Sequence, residues 1–169
     1  MAAITPDEII QILNLKPLPV EGGYYAETYR SFPMPSISGD AGLESTSRPL
    51  STAIYYLLTP DTFSALHRLP GDEIYHFYTG DPVELLILDQ DGSTHTRILG
   101  TDFASGMRPQ VIAPGGAWQG SALCPGGSVA LLGTTMTPGY HHVDFELGFR
   151  ADLIRQFPTA AGHIRRLTR

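Results

Sequence analysis

The chain has 169 residues, a length that suits one domain with a sizeable core, and we expect a single domain over residues 1–169. Charged residues make up 17% and apolar residues 42%, a balance that argues against disorder, and the 18 glycines and 14 prolines favour turns over a long helical bundle. The formal net charge of −6 provides no basic surface for phosphate backbones or anionic membranes. We therefore expect no nucleic acid and no membrane among the partners.

Cysteine content and the N-terminal sequence bear on location. Cys124 is the single cysteine, so the chain cannot form an internal disulfide. The N-terminus lacks a basic segment leading into an apolar signal core, and no apolar run approaches the ~20 residues that cross a bilayer. These features predict a soluble, cytoplasmic protein.

The first predicted element is a short helix. Thr5 precedes Pro6 and two acidic residues, the pattern of an N-cap, a proline at the first helical position and acids in the first turn. Apolar residues follow at helical spacing as far as Leu13. The helix should end before the Lys16-Pro17 step, because a residue preceding proline is disfavoured in helical conformation.

After this helix the pattern changes to a period of two. Nine runs of strand-type residues between turn signals are predicted to be strands: 24–30, 51–58, 62–69, 73–78, 83–89, 93–99, 110–113, 118–123 and 128–136. The turns at 80–82, 90–93 and 125–127 are predicted to join antiparallel hairpins. Many short strands with closely spaced turns predict a sandwich, a jelly roll or a barrel.

Three further segments stand apart from the strands. Residues 33–49 are rich in Pro, Ser and Gly and are predicted to form a long mobile loop. Residues 150–157 predict two helical turns closed by Pro158. The arginine-rich tail at 164–169 is expected to be a solvated end segment and not a nucleic-acid arm, because the rest of the chain is acidic.

The densest group of chemistry-bearing residues flanks the Pro70-Gly71 step. This step predicts a tight turn, so we expect the flanking strands to pair and to bring His67 close to Glu73. An imidazole facing a carboxylate suits a metal site or a base oriented by an acid, and it equally suits an ion pair with a structural role alone. His76 falls on the face opposite Glu73 and is predicted to be a packed histidine.

At this point the chain resembles a known family. The run Glu73-x6-Gly80 fits the end of the first cupin motif. Together with segments 21–25, 67–82, 114–119 and 138–148, it resembles the small uncharacterised cupin group called cupin 5, or DUF985, over nearly the whole chain. The resemblance implies an all-β double-stranded β-helix, the cupin jelly roll, with a small-molecule pocket inside the barrel and a homodimer. It implies no settled activity.

The resemblance to the general cupin metal motif is incomplete. His67 falls at the first histidine and Glu73 at the glutamate, but Leu69 and Gln119 stand where two further histidines are expected. Leucine cannot bind a metal, and a neutral amide oxygen is a poorer ligand than imidazole for Fe, Ni or Zn. We expect no cofactor. A divalent transition metal held by His67, Glu73 and Gln119 stays open as an alternative.

A second histidine-rich pattern lies near the end of the predicted barrel. In a strand, His142, Asp144 and Glu146 would share one face and suggest a metal site. The same pattern is typical of an ordinary half-exposed strand. We therefore expect at most adventitious metal binding there.

The candidate site is built around His67, Glu73 and Gln119. Tyr75 and Trp118 are predicted to be walls of the pocket. The leading hypothesis is an isomerase- or epimerase-like enzyme on a sugar or another small polar metabolite, with His67 as general base oriented by Glu73. A non-catalytic sensor or carrier, and a metal-dependent oxygenase or lyase with a reduced ligand set, are the alternatives.

Overall fold

The computed structural model describes residues 4–32 and 48–169. The predicted mobile loop at 33–49 lies outside the described residues except for its last two positions. In the described ranges the elements are α1 (Pro6–Ile12), β1 (Lys16–Pro17), β2 (Tyr24–Arg30), β3 (Thr52–Leu58), β4 (Ser64–Arg68), β5 (Glu73–Gly80), β6 (Val83–Leu88), β7 (Thr94–Leu99), β8 (Gln110–Ala113), β9 (Trp118–Leu123), β10 (Ala130–Met136), β11 (Glu146–Leu147), α2 (Arg150–Gln156) and α3 (Ala161–Arg166). All nine predicted strands are present.

The predicted N-terminal helix is confirmed as α1. The Thr5 hydroxyl accepts the Glu8 backbone N–H at 3.3 Å, and the Glu8 carboxylate accepts the Thr5 backbone N–H at 2.7 Å. This reciprocal capping box satisfies two N–H groups that the first turn leaves unpaired. The buried Ile9 packs with Leu15 and Leu57, so α1 covers the outer face of β3.

The strands form two antiparallel sheets that face each other across the interior. One sheet has the order β1-β2-β3-β10-β5-β8 and the other the order β11-β4-β9-β6-β7. Several consecutive strands lie in different sheets, so the chain repeatedly crosses between the two layers. This topology is the predicted jelly roll.

One of the three predicted hairpins is confirmed. The Asp91-Gly92 turn joins β6 to β7, which pair antiparallel. The turns at 80–82 and 125–127 were wrongly predicted as hairpins, because they carry the chain from one sheet to the other. The reason is visible at β5, which pairs with β10 and β8 and so has no free edge for β6. A turn sequence specifies a reversal of the chain and leaves open which sheet the next strand joins.

The interior between the sheets is lined by every second residue of the strands. On β6, Leu85 and Ile87 belong to the interior cluster, while Leu86 and Leu88 pack against the C-terminal helices. Burial on both faces explains why this strand is almost continuously apolar. On β5, His76 faces away from the interior as predicted, with its Nε2 atom 3.2 Å from the Thr135 hydroxyl.

The C-terminal segment covers the second sheet. The predicted helix at 150–157 is confirmed as α2, but the tail was wrongly expected to be solvated. Ile164 and Leu167 are 0% and 1% exposed and pack with Leu66, Leu86 and Phe157. Ile164 on α3 and Leu167 at its C-cap, three residues apart, bury one side of this segment, while Arg165 and Arg166 stay exposed. In the described ranges, none of the helices is long and apolar enough to cross a membrane.

Candidate functional site

His67 lies on β4 with its imidazole in the interior, only 1% exposed. A register shift between Ser64 and His67 in the pairing of β4 with β9 allows both residues, three positions apart, to join the interior polar cluster. The His67 Nδ1 atom is 2.8 Å from the Ala65 carbonyl oxygen. Because a carbonyl only accepts, Nδ1 carries a proton, and Nε2 is the atom that gains or loses one.

Glu73 and Gln119 meet the Nε2 side of this imidazole. Glu73 Oε2 is 3.9 Å from His67 Nε2, and it accepts a hydrogen bond from Gln119 Nε2 at 2.7 Å. The structure therefore brings His67, Glu73 and Gln119 together. The expected pairing of the strands around Pro70-Gly71 is wrong, because β4 and β5 belong to opposite sheets. Glu73 reaches His67 across the interior.

Glu21 joins this cluster and is absent from the predicted site. Its Oε1 atom accepts a hydrogen bond from the Ser64 hydroxyl at 2.8 Å, and its backbone carbonyl accepts the Ala65 N–H at 2.9 Å. Gly22 has a φ of +108°, and a Cβ there would lie 2.3 Å from the Phe63 carbonyl oxygen. This position therefore requires glycine. The Glu21-Gly22-Gly23 run is the sequence signal that could have revealed a carboxylate in contact with β4.

The charges of these groups act on one another inside the barrel. Burial lowers the pKa of His67, but the charge of Glu21, the hydrogen bond and charge of Glu73 and the Ala65 carbonyl outweigh it and raise this pKa to about 9. Burial has the opposite effect on a carboxyl group and raises the pKa of Glu21, although the charge of His67 partly lowers it. At neutral pH the imidazole is therefore charged and neighbours two carboxyl groups.

The two predicted pocket walls have different positions. Tyr75 follows two residues after Glu73 and is buried in the interior cluster, where burial and the charges of Glu73 and Glu21 raise its pKa well above the ordinary value. Trp118 does not wall the site. It packs with the outer cluster, and the Arg68 guanidinium lies 4.6 Å from its ring centroid. Neighbouring strand residues point to opposite faces, so an inward Gln119 requires an outward Trp118.

A cavity of about 300 Å³ opens beside the cluster. Of the predicted site residues only Glu73 lines it, while His67 and Gln119 lie behind Glu73 and are 1% and 2% exposed. The remaining wall is a mixture of aliphatic, aromatic, hydroxyl and charged residues: Leu18, Tyr25, Glu27, Arg30, Thr52, Ile54, Thr134, Met136, Tyr140 and His142. Glu73 is thus the contact between the buried charges and the cavity.

The segment around His142 does not form the strand on which the second metal pattern depends. Residues His142–Asp144 form a 3-10 turn. Arg48 Nη2 donates to Asp144 Oδ1 at 2.8 Å, and Arg68 Nη2 donates to Glu146 Oε2 at 2.6 Å. The Arg48 hydrogen bond and charge lower the pKa of Asp144. Each carboxylate is therefore paired with an arginine, and the predicted shared face does not exist.

Two facing antiparallel sheets with a cluster of buried polar residues between them are typical of the cupin class. The family model described as Cupin superfamily (DUF985) matches residues 7–148, and the chain belongs to this family. An uncharacterized protein of Saccharomyces cerevisiae is 31% identical over 134 residues, which cover 75% of this chain and 65% of the relative, so the chain spans less than two thirds of that protein. A crystal structure of a Shewanella oneidensis protein has 33% identity and a TM-score of 0.85, with 99% of both chains covered.

The fold alone also resembles a metalloenzyme. Oxalate decarboxylase of Bacillus subtilis, whose structure concerns Mn(II) centres, is 14% identical with a TM-score of 0.54, covering 91% of this chain and 37% of that one. Cupins therefore include metal-binding enzymes as well as proteins without a described activity.

The residues around His67 do not match a transition-metal centre. Leu69 has no donor atom. Gln119 donates an amide N–H to Glu73 Oε2 at 2.7 Å, and an N–H group repels a cation. The Gln119 Oε1 atom is buried without a hydrogen-bond partner in the described part of the chain. Across residues 4–32 and 48–169, no three His, Cys, Asp or Glu side chains are placed to hold a metal ion.

Proposed function

We propose that the protein binds a small polar molecule, such as a sugar or a related metabolite, in the cavity beside Glu73 and isomerises or epimerises it by proton transfer. The observation that carries this proposal is the position of Glu73. Among the residues that the structure describes, Glu73 is the member of the buried charged cluster that lines this cavity of ligand size. A titratable group backed by other charges and facing a cavity is typical of a catalytic site.

The positions favour Glu73, and not His67, as the group that touches the ligand. Glu73 Oε2 already accepts the Gln119 hydrogen bond, which leaves Oε1 for a ligand. His67 lies behind it with a raised pKa, so the imidazolium places a positive charge 3.9 Å from Glu73 Oε2. We propose that Glu73 is the base and that His67 is a positioning residue.

The proposed step is removal of a proton from a carbon next to a carbonyl group. The C–H proton passes to Glu73, and the bonding electrons move onto the carbonyl oxygen to form an enolate. Tyr140 lines the same cavity, and burial together with the charges of Glu21 and Glu73 raises its pKa. Its hydroxyl therefore stays protonated at neutral pH and can donate a hydrogen bond to the developing oxyanion.

Deuterium exchange tests this proposal without knowledge of the product. The protein is incubated in D₂O with small hydroxy-carbonyl compounds, and the loss of carbon-bound protons is followed by NMR. We expect exchange with wild-type protein and a loss of about 100-fold or more in Glu73→Gln. The matched control Glu146→Gln removes a carboxylate of a surface ion pair and should exchange normally. Binding without exchange would contradict the enzymatic proposal and favour the carrier or sensor function.

Two further expectations, on the oligomeric state and the location of the protein, accompany the proposal. We propose that the protein forms a homodimer and acts in the cytoplasm. The dimer rests on family resemblance, and light scattering of the purified protein tests it directly.

A further inference from the structure

A bulge in β2 brings two oppositely charged residues to the mouth of the cavity. Residues three apart on a regular strand face opposite sides, yet Glu27 and Arg30 both line the cavity. The pairing of β2 with β3 shifts register between Glu27 and Tyr29, so Thr28 is an extra residue. The Thr28 hydroxyl donates to the Ala53 carbonyl at 3.1 Å, which holds this irregular position. The bulge therefore turns Arg30 toward the cavity.

Arg30 at the mouth is already bound to a carboxylate. Its Nε atom lies 3.0 Å from both Glu27 oxygens, and Nη2 donates to Oε2 at 2.6 Å. Nη1 donates to the Tyr140 carbonyl at 3.2 Å, which anchors the guanidinium to a second segment that lines the cavity. The edge that holds Nε and Nη2 thus faces a carboxylate in the fork geometry that arginine favours.

The depth of the charged groups distinguishes the two ends of the cavity. The side chains of Arg30 and Glu27 are 42% and 40% exposed, whereas that of Glu73 is 10% exposed. The Glu27–Arg30 pair is therefore within reach of solvent and of an incoming ligand. An exposed ion pair contributes little to stability, so exchanging one carboxylate partner for another costs little.

We propose that Arg30 is an anion subsite and that Glu27 occupies it until a ligand carboxylate takes its place. This inference rests on the proposed function and narrows its substrate class to a small carboxylate with a hydroxyl or carbonyl group at the other end. The carboxylate binds Arg30 at the mouth, and the polar end reaches Glu73 at the floor. A carboxylate suits the subsite better than a phosphate, because one guanidinium already holds a carboxylate and Glu27, Glu73 and Glu21 repel a dianion.

Three probes with related hydroxyl groups test this subsite: glycerate, glycerol and glycerol 3-phosphate. Binding is followed by the NMR shifts of backbone amides around the cavity, including Glu73 and Thr134. Glycerate should bind more tightly than the other two. Arg30→Gln should weaken glycerate binding by about tenfold or more, since a charge-assisted contact is lost. Arg30→Lys, which keeps the charge but lacks the fork, should fall between wild type and Arg30→Gln.

The decisive comparison is between two variants of one ion pair, which should change the affinity for glycerate in opposite directions. Glu27→Gln should strengthen glycerate binding by up to about fivefold, because it removes the competing carboxylate. A pair with only a structural role would make Glu27→Gln and Arg30→Gln behave alike. The matched variants Glu146→Gln and Arg68→Gln, from the ion pair outside the cavity, should leave glycerate binding unchanged.

The remaining outcomes separate this inference from the proposed function. Glycerate binding that is unaffected by Arg30→Gln overturns the subsite. The deuterium exchange of ligand C–H protons, which depends on Glu73, tests the proposed function independently. Tighter binding of glycerol 3-phosphate overturns the choice of a carboxylate. Failure of all three probes to shift the cavity amides also contradicts the subsite.

Discussion

The floor and the mouth of the cavity each contain a carboxylate beside a cation, but their surroundings differ. At the floor, Glu73 and His67 are 3.9 Å apart, with side chains 10% and 1% exposed. At the mouth, Glu27 and Arg30 are 2.6 Å apart, with side chains 40% and 42% exposed. Water screens the closer pair, whereas the more distant pair interacts in a medium of low polarity. The depth of burial, and not the distance between the two charges, therefore decides which pair has the stronger electrostatic interaction.

The two cations also differ in chemistry. The proton on His67 Nε2 leaves at alkaline pH, because its pKa is about 9. Arg30 keeps its charge throughout this range. The floor thus has a charge that can change during a reaction, and the mouth has a permanent charge suited to binding. Four experiments test this difference.

The largest expected effect is the loss of stability on removing the buried cation. His67→Ala leaves Glu21 and Glu73 without their positive neighbour and should lower the free energy of unfolding by about 3–5 kcal/mol. Arg30→Ala should lower it by less than about 1 kcal/mol. Urea denaturation of the two variants measures both values, and equal losses would contradict the importance of depth.

The second effect is a dependence of stability on pH. The folded-state pKa of His67 is raised from 6.5 to about 9, so its stabilising contribution is complete below pH 6.5 and is lost as the pH rises through about 9. The loss should reach at most about 3 kcal/mol. The raised pKa of Glu21 acts in the same direction at lower pH. Arg30→Gln should keep this dependence of the unfolding free energy on pH. A wild-type unfolding free energy that does not change as the pH rises through about 9 would refute the role of His67.

The third effect isolates the role of the missed carboxylate. Glu21→Gln removes a negative charge that raises the pKa of His67 and should lower this pKa by about 1 unit or more. Glu73→Gln should act in the same direction. Glu27→Gln, at the mouth, serves as the control and should leave the His67 titration unchanged. NMR titration of the imidazole measures all three variants.

The smallest effect is the response of the two pairs to salt. At 1 M salt the Debye length is about 3 Å, so the small contribution of the Glu27–Arg30 pair should vanish. The cost of His67→Ala should persist, because the buried groups are shielded from ions. Repeating the urea denaturation at low and high salt provides the measurement. An equal salt dependence of both variants would show that the floor is accessible to ions.

Local patterns were sufficient for the elements themselves. The period-two runs located all nine strands, and the Thr5-Pro6 signal located α1, because alternation and capping act between near neighbours in the chain. The partners of those strands depended on distant residues. Pro70-Gly71 was wrongly predicted to pair its flanking strands, because the competition among strand edges placed β4 and β5 in different sheets.

The candidate site shows the same division. Resemblance and spacing predicted His67, Glu73 and Gln119, which lie together in the structure, but they missed Glu21, which is held against β4 by the Ser64 hydroxyl. They also placed Trp118 beside Gln119 in the pocket, although adjacent strand residues cannot share a face. Register shifts in β2 and β4 determined which further residues face inward, and a shift of this kind arises from pairing with another strand.

The sequence by itself determined the β-rich composition, the order of strands along the chain, the helices α1 and α2, and the family to which the chain belongs. Only the tertiary structure decided that Glu73 faces the cavity while His67 lies behind it, and that Arg30 turns to the mouth. The physical reason is that alternation is a property of a few consecutive residues. Burial, screening and the pKa of a buried group depend on charges such as Glu21 that are distant in the chain and close in space.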